Sequence, residues 1–543
     1  MGGSAFLFVV AIHHTVLQAG TLRFPYFTVW QRRLHGFMES PNSNQSQLIG
    51  WIGRIGGPCL AIAVYLLLDG TSITAYERSI GLNPAQATAA IAVLMAVWWM
   101  TEAVPLPITS LLPLILFPLT GVLDLNEAAP PYANKFIFLF LGGFMIARAV
   151  EKWNLHRRIA LFTVLGAGTQ PTRLIAGFMI ATAGLSMWIS NTASTVMMLP
   201  IGMSLVALVT EHLKKDSNSG HSGTNFATCM MLGIAYSASI GGLATLVGTP
   251  TNLFLAGFTD DHNIELSFSR WMLFATPLSI VLLFLAWILL TRVVFPIRVR
   301  EIPGGRALIS QELAAMGRMS RGEWVVLCVF ALTATAWVLR EPITKSETLV
   351  AALPVLGKMN DTIIALIGAC SLFLIPIDAK RGEFALDWDT AVKIPWGVLL
   401  LFGGGFCLAE AVKTSGLAQW IGEGVSQLNL SPLLLMILVT TLVVFLTELT
   451  SNTPTAATFL PILFGVAQGM NVDPMLLLVP ATLAATCAFM LPVATPPNAI
   501  VFGSGHIEIR SMAKAGVWLN ILSIVLIVAW MWLVGTQVFG ITT

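Results

Sequence analysis

The chain has 543 residues, of which 56% are hydrophobic and only 10% are charged, and its formal net charge is +2. An ordinary soluble domain carries about 25% charged residues, so this composition excludes that class and indicates a polytopic membrane protein. The small net charge gives no reason to expect a nucleic-acid partner. The six cysteines and eight histidines show no metal-ligand spacing, and no Walker sequence is present. A zinc enzyme and an ATP-driven pump are therefore excluded.

Apolar runs of about 20 residues, the length of a membrane-spanning helix, recur along the chain. Residues 1–45 precede them and are predicted to be an N-terminal extension. In chain order, eleven runs predict crossings: 48–70, 86–103, 105–123, 134–150, 224–258, 271–294, 324–340, 361–378, 391–412, 474–502 and 515–539. Two further apolar segments, 172–210 and 430–470, each contain a Ser-Asn-Thr sequence in the middle. We interpret these two as hairpins that enter the membrane and return.

The distribution of charge predicts the orientation. Basic residues concentrate in five segments, near 32–33, 148–158, 214–215, 292–321 and 510–514. The positive-inside rule assigns such segments to the cytoplasm, whereas the acidic loop 259–265 falls on the opposite side when the crossings are counted. The prediction is a multi-pass protein of the cell membrane (inner or plasma membrane) with a cytoplasmic N-terminus and an external C-terminus.

The two halves of the chain repeat the same motifs in the same order. The stretch from Gly142 to Val150 resembles the stretch from Gly404 to Val412. Each copy is followed by Ser-Asn-Thr and later by Thr-Pro-x-Asn, which occupy Ser190 to Thr192 with Thr249 to Asn252, and Ser451 to Thr453 with Thr495 to Asn498. Such an order is hard to obtain by chance, and it predicts an internal duplication.

The two copies are predicted to have opposite topology, because the crossing at 134–150 runs inward and that at 391–412 runs outward. The first repeat then covers 46–300 and the second 323–543, with a cytoplasmic linker at 301–322. Inverted repeats with broken helices that meet near the bilayer midplane are typical of secondary transporters.

The polar breaks predict the chemistry of the site. Broken backbone inside a membrane persists only where it is buried in protein or lines a cavity. Freed carbonyls and Ser, Thr and Asn oxygens suit a small alkali cation, whereas freed N–H groups at helix N-termini suit an anion. Ser186 and Thr447 each lie four residues before a Ser-Asn-Thr motif, one helical turn behind it, and are candidate cation ligands. The alternative is that these polar residues are ordinary helix caps. Glu448 is a candidate for coupling or for packing within its hairpin.

This set of motifs resembles the divalent anion/sodium symporter (DASS) family, which includes INDY-type sodium-coupled dicarboxylate carriers. The resemblance covers roughly residues 48–539. It implies an all-α fold of about eleven transmembrane helices and two re-entrant hairpins. It further implies a homodimer in the lipid bilayer, in which scaffold and transport domains interleave both repeats and the transport domain moves as an elevator.

The resemblance also implies roles for individual residues. One sodium ion would be held by Ser186, Ser190, Asn191 and Gly248, and the other by Thr447, Thr450, Asn452 and Ala494. The substrate would be held by Ser190, Asn191, Thr192, Ser451, Asn452, Thr453, Thr495 and Pro496. Thr450, where the family would have a small apolar residue, and the polar insert from Lys214 to Asn225 depart from the family pattern.

The predicted function is sodium-coupled symport of C4 dicarboxylates such as succinate, malate or fumarate, with sodium as the coupling ion and no catalytic residues. Three alternatives remain: a sodium-independent exchanger of di- or tricarboxylates, a carrier of citrate or sulfate, and a membrane enzyme or sensor that shares the fold. An exchanger is expected to carry a basic residue in place of a cation-binding hydroxyl, so Ser186 and Thr447 favour symport. An enzyme would need a nucleophile, base or metal cluster.

Overall fold

The computed structural model describes residues 42–68, 83–168, 170–214, 220–297, 305–427 and 430–541. Most of the predicted N-terminal extension, residues 215–219 of the polar insert, residues 301–304 of the predicted linker and the last two residues lie outside this part of the chain. Within it the chain is almost entirely helical. Eight helices are long and apolar enough to cross a membrane, and four shorter apolar helices accompany them. The prediction of an all-α polytopic membrane protein is confirmed.

The helices of the first half are, in order, α1 (Asn42–Leu67), α2 (Pro84–Thr101), α3 (Leu106–Thr109), α4 (Leu112–Thr120), α5 (Leu125–Ala128), α6 (Lys135–Lys152), α7 (Leu155–Gly166), α8 (Pro171–Ser186), α9 (Asn191–Lys214), α10 (Gly220–Gly242), α11 (Pro250–Asp261) and α12 (Phe268–Ile288). A 3-10 turn at Pro130–Ala133 precedes α6, and a π-helical stretch at Leu289–Val294 follows α12.

The second half contains α13 (Gly305–Ala315), α14 (Arg321–Thr344), α15 (Glu347–Ala352), α16 (Asp361–Leu374), α17 (Trp388–Ala391), α18 (Trp396–Thr414), α19 (Leu417–Ser426), α20 (Pro432–Thr447), α21 (Asn452–Gly469), α22 (Met475–Thr486), α23 (Pro496–Phe502), α24 (Ile509–Trp530) and α25 (Thr536–Phe539). Leu356–Lys358 is a 3-10 turn, and Met531–Gly535 is π-helical. Strands β1 (Pro376–Asp378) and β2 (Glu383–Phe384) form a small antiparallel hairpin.

Several predicted crossings are not single helices. Segment 105–123 is divided between α3 and α4, which both begin next to prolines. The run 361–378 stops being helical at Leu374, because Ile375 precedes a proline and takes an extended conformation. Segments 224–258 and 474–502 each consist of two helices with an irregular stretch between them, at 243–249 and 487–495.

The described residues divide into two compact units. The smaller unit takes its residues from Met1–Tyr132, Leu400–Asn429 and Ala457–Asn471, and the larger unit from Ala133–Leu399, Leu430–Ala456 and Val472–Thr543. Each unit therefore contains parts of both predicted repeats. Assignment of scaffold and transport roles to the two units stays a prediction.

Close backbone approach holds the smaller unit together. A Cβ atom added to Gly465 would lie 2.4 Å from the carbonyl oxygen of Ala418, and one added to Gly422 would lie 2.2 Å from the carbonyl oxygen of Gly465. Small residues that let helix backbones approach are typical of contacts between membrane helices. In the same unit, the buried Trp99 donates its indole N–H to Ser110 Oγ (3.2 Å), and the Tyr132 hydroxyl donates to the Ser110 carbonyl.

Charged residues of the larger unit group at two sets of helix ends. In one set, Arg158 pairs with Glu323 (2.6 Å) and Arg157 with Glu312 (2.6 Å), which joins α7 to α13 and α14. Lys152 pairs with Asp387 (2.7 Å); burial raises the pKa of this carboxyl, but the hydrogen bonds from Lys152 and Thr390 bring it below its ordinary value. Three basic residues predicted to be cytoplasmic thus each pair with an acidic residue, one from the predicted linker and two from the second repeat.

In the other set, acidic residues at the end of α11 meet the start of α6. Lys135 pairs with Asp260 (2.8 Å), and the Asn134 side-chain amide donates to Asp261 (2.9 Å). This is the segment that the sequence analysis assigned to the opposite side of the membrane.

Candidate functional site

Both Ser-Asn-Thr motifs lie between two helices, and the motif residues themselves belong to the larger unit. The first hairpin tip, Met187–Ser190, separates α8 from α9, and the second hairpin tip, Glu448–Ser451, separates α20 from α21. The irregular stretches 243–249 and 487–495 are called the first and the second break. α8 packs against α9, and α20 packs against α22. The helix–break–helix form agrees with the predicted hairpins, whereas their entry into and return from the membrane stays a prediction.

The first motif builds a cluster of oxygen atoms around Ser186. The Oγ atom of this fully buried serine lies 2.7 Å from Asn191 Oδ1 and 2.7 Å from the carbonyl oxygen of Ala238 in α10. The atom placed as Asn191 Oδ1 also lies 3.2 Å from the carbonyl oxygens of Ala238 and Gly248. With the amide in this orientation, its oxygen has two carbonyl acceptors as neighbours besides Ser186. One hydroxyl supplies a single proton, which leaves more acceptors than donors.

The second motif builds the same arrangement around Thr447. Its Oγ1 atom, also fully buried, lies 2.9 Å from Asn452 Oδ1 and 2.8 Å from the carbonyl oxygen of Ala485 in α22. The order of parts is therefore identical in the two repeats: a hydroxyl at the end of the first hairpin helix, the motif asparagine, and an alanine carbonyl from the helix before the Thr-Pro loop. Ser186 thus lies beside Asn191 and Thr447 beside Asn452, and their role as sodium ligands stays a prediction.

The asparagines of the Thr-Pro-x-Asn loops hold the broken backbone. Asn252 Nδ2 donates to the carbonyls of Gly242 (3.1 Å), Leu243 (3.2 Å) and Thr245 (2.8 Å). Asn498 Nδ2 donates to those of Ala488 (3.1 Å) and Leu491 (3.0 Å). Both asparagines are fully buried. Freed carbonyls left without a donor would each cost about 1–3 kcal/mol, so these two side chains make the breaks possible.

Gly248, a predicted ligand through its carbonyl group, sits where the backbone turns back on itself. A Cβ atom added there would lie 2.5 Å from the carbonyl oxygen of Gly242. Its N–H donates to Thr245 Oγ1 (3.0 Å), and the Thr245 hydroxyl in turn contacts the carbonyl of Met187 at the first hairpin tip. The first break is thus tied directly to the first hairpin. Its counterpart Ala494 is buried and donates its N–H to the Leu491 carbonyl (3.2 Å).

The second break is held by a buried carboxylate. Glu448 accepts hydrogen bonds from the backbone N–H groups of Phe489 (2.6 Å), Met490 (2.9 Å) and Leu491 (3.0 Å), and from Asn520 Nδ2 (2.7 Å). Only 3% of Glu448 is exposed. The sequence analysis left Glu448 open between coupling and packing within its own hairpin. The structure joins it to the second break and to α24, outside its own hairpin, and a part in coupling stays a prediction.

Aromatic rings fix the tip of the first hairpin. Trp188 stacks on Trp337 (ring centroids 6.4 Å apart) and meets Phe330 edge-on (5.3 Å), both from α14. It also stacks on Phe268 at the start of α12 (6.2 Å). Such pairs contribute about 0.5–1.5 kcal/mol each beyond the area that they bury. The hairpin tip is therefore seated against α12 and α14.

The predicted substrate residues all lie at helix N-termini. Ser190 to Thr192 begin α9, Ser451 to Thr453 begin α21, and Thr495 with Pro496 begins α23. Ser190 Oγ accepts from the N–H of Ala193 (3.2 Å), and Thr495 Oγ1 accepts from that of Asn498 (3.3 Å), so both serve as helix caps. α9 packs against α23, which brings the first Ser-Asn-Thr helix beside the second Thr-Pro helix.

Thr450 differs from the other predicted cation ligands. Its hydroxyl lies within hydrogen-bonding distance of the Leu446 carbonyl (3.0 Å), to which it can donate, and of Thr455 Oγ1 (2.7 Å), where either hydroxyl can be the donor. Both partners belong to the second hairpin, and neither belongs to the group around Thr447. The assignment of Thr450 as a sodium ligand stays a prediction.

The sequence analysis did not predict several of the atoms in these clusters. The alanine carbonyls of residues 238 and 485 carry no side-chain signal, and they lie far from their hydroxyl partners in sequence. The roles of Asn252 and Asn498 were also missed, although their recurrence at one position of a repeated motif was a usable signal.

Comparison with known proteins identifies the family. A sequence model described as "Sodium:sulfate symporter transmembrane region" matches residues 60–539. The chain is 43% identical over 509 residues to "Sodium-dependent dicarboxylate transporter SdcS" of Staphylococcus saprophyticus, covering 93% of this chain and 95% of that protein. It is 42% identical over 456 residues to SdcS of Staphylococcus aureus strain USA300, covering 83% and 86%.

Two solved structures share the fold at low sequence identity. MtrF of Neisseria gonorrhoeae, described as one of a class of antimetabolite efflux pumps, superposes with a TM-score of 0.51 at 12% identity, covering 84% of this chain and 97% of its own. The YdaH transporter of Alcanivorax borkumensis gives 0.51 at 14% identity, covering 83% and 98%. The fold is that of polytopic transporters, and no enzyme is among these relatives. By its motifs, its helix order and these matches, the chain belongs to the sodium:sulfate symporter family, the DASS family that its paired Ser-Asn-Thr motifs predict.

Proposed function

We propose that this protein is a secondary active transporter that couples sodium to the uptake of C4 dicarboxylates such as succinate, malate or fumarate. The observation that carries the proposal is the duplicated oxygen cluster, at Ser186 with Asn191 and at Thr447 with Asn452. The names of the relatives support the same substrate class and coupling ion.

The atoms of each cluster fit a hard monovalent cation. Hydroxyl, amide and backbone carbonyl oxygens are the ligands that alkali and alkaline-earth ions prefer, and the clusters contain no thiolate or imidazole. At the first cluster, the Asn191 amide oxygen faces the oxygens of Ser186, Ala238 and Gly248. A cation among these four atoms satisfies all of them at once. Without a cation, rotation of the amide replaces that oxygen by an N–H donor.

The anion is proposed to bind at the N-termini of α9 and α21, through Ser190 to Thr192 and Ser451 to Thr453, together with Thr495 and Pro496. The dipole of each helix and its free N–H groups favour negative charge there. The motif segments contain no lysine or arginine. A dicarboxylate therefore depends on bound sodium for charge compensation, which couples the binding of the two species.

The remaining features of the proposal extend the family resemblance. The protein acts as a homodimer in the bilayer, with its N-terminus in the cytoplasm and its C-terminus outside. The unit that carries the motifs moves across the membrane as an elevator. The grouping of Arg157, Arg158 and Lys152 at one set of helix ends and of Asp260 at the other supports the orientation.

Uptake of radiolabelled succinate into proteoliposomes tests the function. An inward sodium gradient is compared with an equal potassium gradient, and unlabelled succinate, citrate and sulfate are added as competitors. Sodium-dependent uptake that succinate suppresses best supports the proposal. Preferential competition by citrate or sulfate would reassign the substrate. Sodium-independent uptake that needs an internal carboxylate would identify an exchanger and remove both sodium sites.

Paired variants test the site itself. Ser186→Ala and Thr447→Ala each remove one cluster hydroxyl, and we expect both to raise the half-saturating sodium concentration at least tenfold. Thr182→Val and Thr440→Val are matched controls, because these buried hydroxyls only donate to carbonyls one turn back, those of Phe178 and Met436. Equal sodium dependence in the site and control variants would contradict the assignment.

A further inference from the structure

A buried tyrosine of the first repeat holds the break of the second. Tyr236 lies in α10 and is fully buried, and its hydroxyl donates to the Phe489 carbonyl (2.8 Å) while lying 3.3 Å from that of Met512. Its ring also meets the Phe489 ring edge-on, with centroids 5.2 Å apart. One side chain thus connects α10, the break at 487–495 and the start of α24.

A second buried hydrogen bond also joins the first repeat to the second. Thr251 Oγ1, at the start of α11, lies 2.8 Å from Thr486 Oγ1 at the end of α22. Neither threonine is exposed to solvent. Thr251 follows the first Thr-Pro break, and Thr486 precedes the second, so this bond joins the two breaks directly.

Each crossing lies next to atoms of both oxygen clusters. Tyr236 is two residues before Ala238, whose carbonyl contacts Ser186. Phe489 donates its N–H to Glu448, the residue after Thr447. On the other route, Thr251 is three residues after Gly248, whose carbonyl lies 3.2 Å from the Asn191 amide. Thr486 follows Ala485, whose carbonyl contacts Thr447. Two short routes of buried contacts therefore run from the first cluster to the second.

We propose that the Tyr236–Phe489 and Thr251–Thr486 hydrogen bonds couple the two cation sites, so that filling one raises the affinity of the other. This inference rests on the proposed function. A break that adjusts its carbonyls around a cation must move Phe489 or Thr486, and a buried bond that loses its alignment finds no water to replace it. States in which only one break is adjusted are thereby disfavoured. Coupling of this kind typically changes affinity by about 5-fold to 150-fold, equally in both directions.

The Thr251–Thr486 hydrogen bond has no counterpart at the equivalent positions of the two repeats. Ser239 and Thr486 follow the two equivalent alanines, and Thr251 and Pro497 occupy the same place in the two Thr-Pro loops. Pro497 has no hydroxyl, and Ser239 Oγ is buried without a hydrogen-bond partner among the described residues. Only one of the two symmetric positions carries the bond, as expected of a specific connection and not of a general packing rule.

The test is the sodium dependence of succinate uptake in proteoliposomes. Tyr236→Phe removes one hydroxyl and keeps the ring, and Thr486→Val removes the other crossing at nearly constant volume. For two coupled sites the parent is expected to show a Hill coefficient approaching about 2, and we expect each variant to lower it toward about 1. The half-saturating sodium concentration should rise about 5-fold or more. Tyr132→Phe is the matched control, because its hydroxyl also donates to a backbone carbonyl, that of Ser110 in the smaller unit.

A purely structural role predicts a different result, namely a lower maximal rate with an unchanged Hill coefficient in all three variants. That result would overturn the coupling, as would sodium curves for Tyr236→Phe and Thr486→Val that match that of Tyr132→Phe. Size-exclusion profiles report folding, and if Tyr236→Phe fails to fold, Thr486→Val decides the question, with Thr251→Val cutting the same bond from its other end. Sodium-independent uptake by the parent would overturn the proposed function as well, whereas a sodium-dependent parent with unchanged variants overturns the coupling alone.

Discussion

The carboxylate of Glu448 offers the sharpest single perturbation of the second break. Glu448→Gln keeps the shape of the side chain and removes its charge. Oε1 receives hydrogen bonds from Phe489, Met490 and Asn520, and Oε2 receives one from Leu491. In glutamine one of these oxygens becomes an NH₂ group, so at least one backbone N–H faces a donor.

The size of the effect follows from those four hydrogen bonds. Bonds to a charged acceptor contribute about 1.5–3 kcal/mol and neutral ones about 1 kcal/mol. Weakening three of them and leaving one buried N–H unpaired therefore costs roughly 4–6 kcal/mol in gross terms. Relief of the desolvation of the carboxylate returns part of this, which leaves about 2–4 kcal/mol. We expect the free energy of unfolding to fall by that amount. Because the removed charge also favours a cation at the neighbouring second cluster, we expect the half-saturating sodium concentration to rise, about tenfold for each 1.4 kcal/mol of lost attraction.

Sodium-driven succinate uptake by proteoliposomes, with thermal unfolding of the purified protein, measures both consequences. Glu410→Gln is the matched control, because Glu410 is 39% exposed and lies 4.0 Å from Lys413, and an exposed pair of this kind contributes at most about 1 kcal/mol. Asn520→Ala combined with Glu448→Gln should cost less than the sum of the two, since both changes act on one network. Wild-type sodium dependence and wild-type unfolding in Glu448→Gln would refute the reasoning.

Three further substitutions test other parts of the structure. Gly248→Ala should disturb the first break at a cost of about 1–3 kcal/mol and raise the half-saturating sodium concentration, whereas Gly143→Ala, whose added Cβ meets only Val247 at 3.5 Å, should behave like the parent in the same uptake assay. Asn498→Ala should lower the unfolding temperature, because two buried carbonyls lose their donor; an unchanged temperature would contradict its role. Arg158→Met should destabilise by about 3–5 kcal/mol by leaving Glu323 buried and unpaired, and adding Glu323→Met should recover part of that loss in the same unfolding measurement.

The sequence predicts the membrane class and the positions of the breaks because both depend on local composition. Apolar runs of spanning length are visible without any knowledge of contacts. The hydroxyls of Ser186 and Thr447, four residues before the Ser-Asn-Thr motifs, are placed beside those motifs by helix geometry alone. Ser186 with Asn191, and Thr447 with Asn452, accordingly lie together in the structure as the spacing indicated.

The predicted ends of helices were less accurate where a proline ends or divides the helix. The run 361–378 is apolar to its end, yet the residue before Pro376 leaves the helical conformation and the chain turns into a β-hairpin. The run 105–123 contains Pro105, Pro107, Pro113 and Pro118 and divides into two short helices. A hydropathy scale scores proline only by its polarity, so it does not register the backbone hydrogen bond that proline removes.

Contacts between distant segments could be predicted neither from local composition nor from helix geometry. The carbonyls of Ala238 and Ala485 are backbone atoms, so no residue type marks them. Three of the four partners of Glu448 are likewise backbone N–H groups, about forty residues downstream. The motif pattern predicted that cations and helix breaks belong together, but which atoms close each cluster depends on how the hairpins pack against α10 and α22.

The two breaks are built alike but stabilised by opposite means. In the first, neutral donors hold carbonyl groups: the Trp271 indole bonds to Leu243 (3.0 Å) and the Thr276 hydroxyl to Ala244 (3.0 Å). In the second, Glu448 holds N–H groups and adds a buried negative charge beside Thr447, a position occupied by Met187 in the first repeat. Because an opposite charge nearby favours a cation, the second cluster should bind sodium more tightly than the first, although the ligand atoms are the same. Sodium affinity in Thr447→Ala should then fall further than in Ser186→Ala, and Glu448→Gln should remove most of that difference.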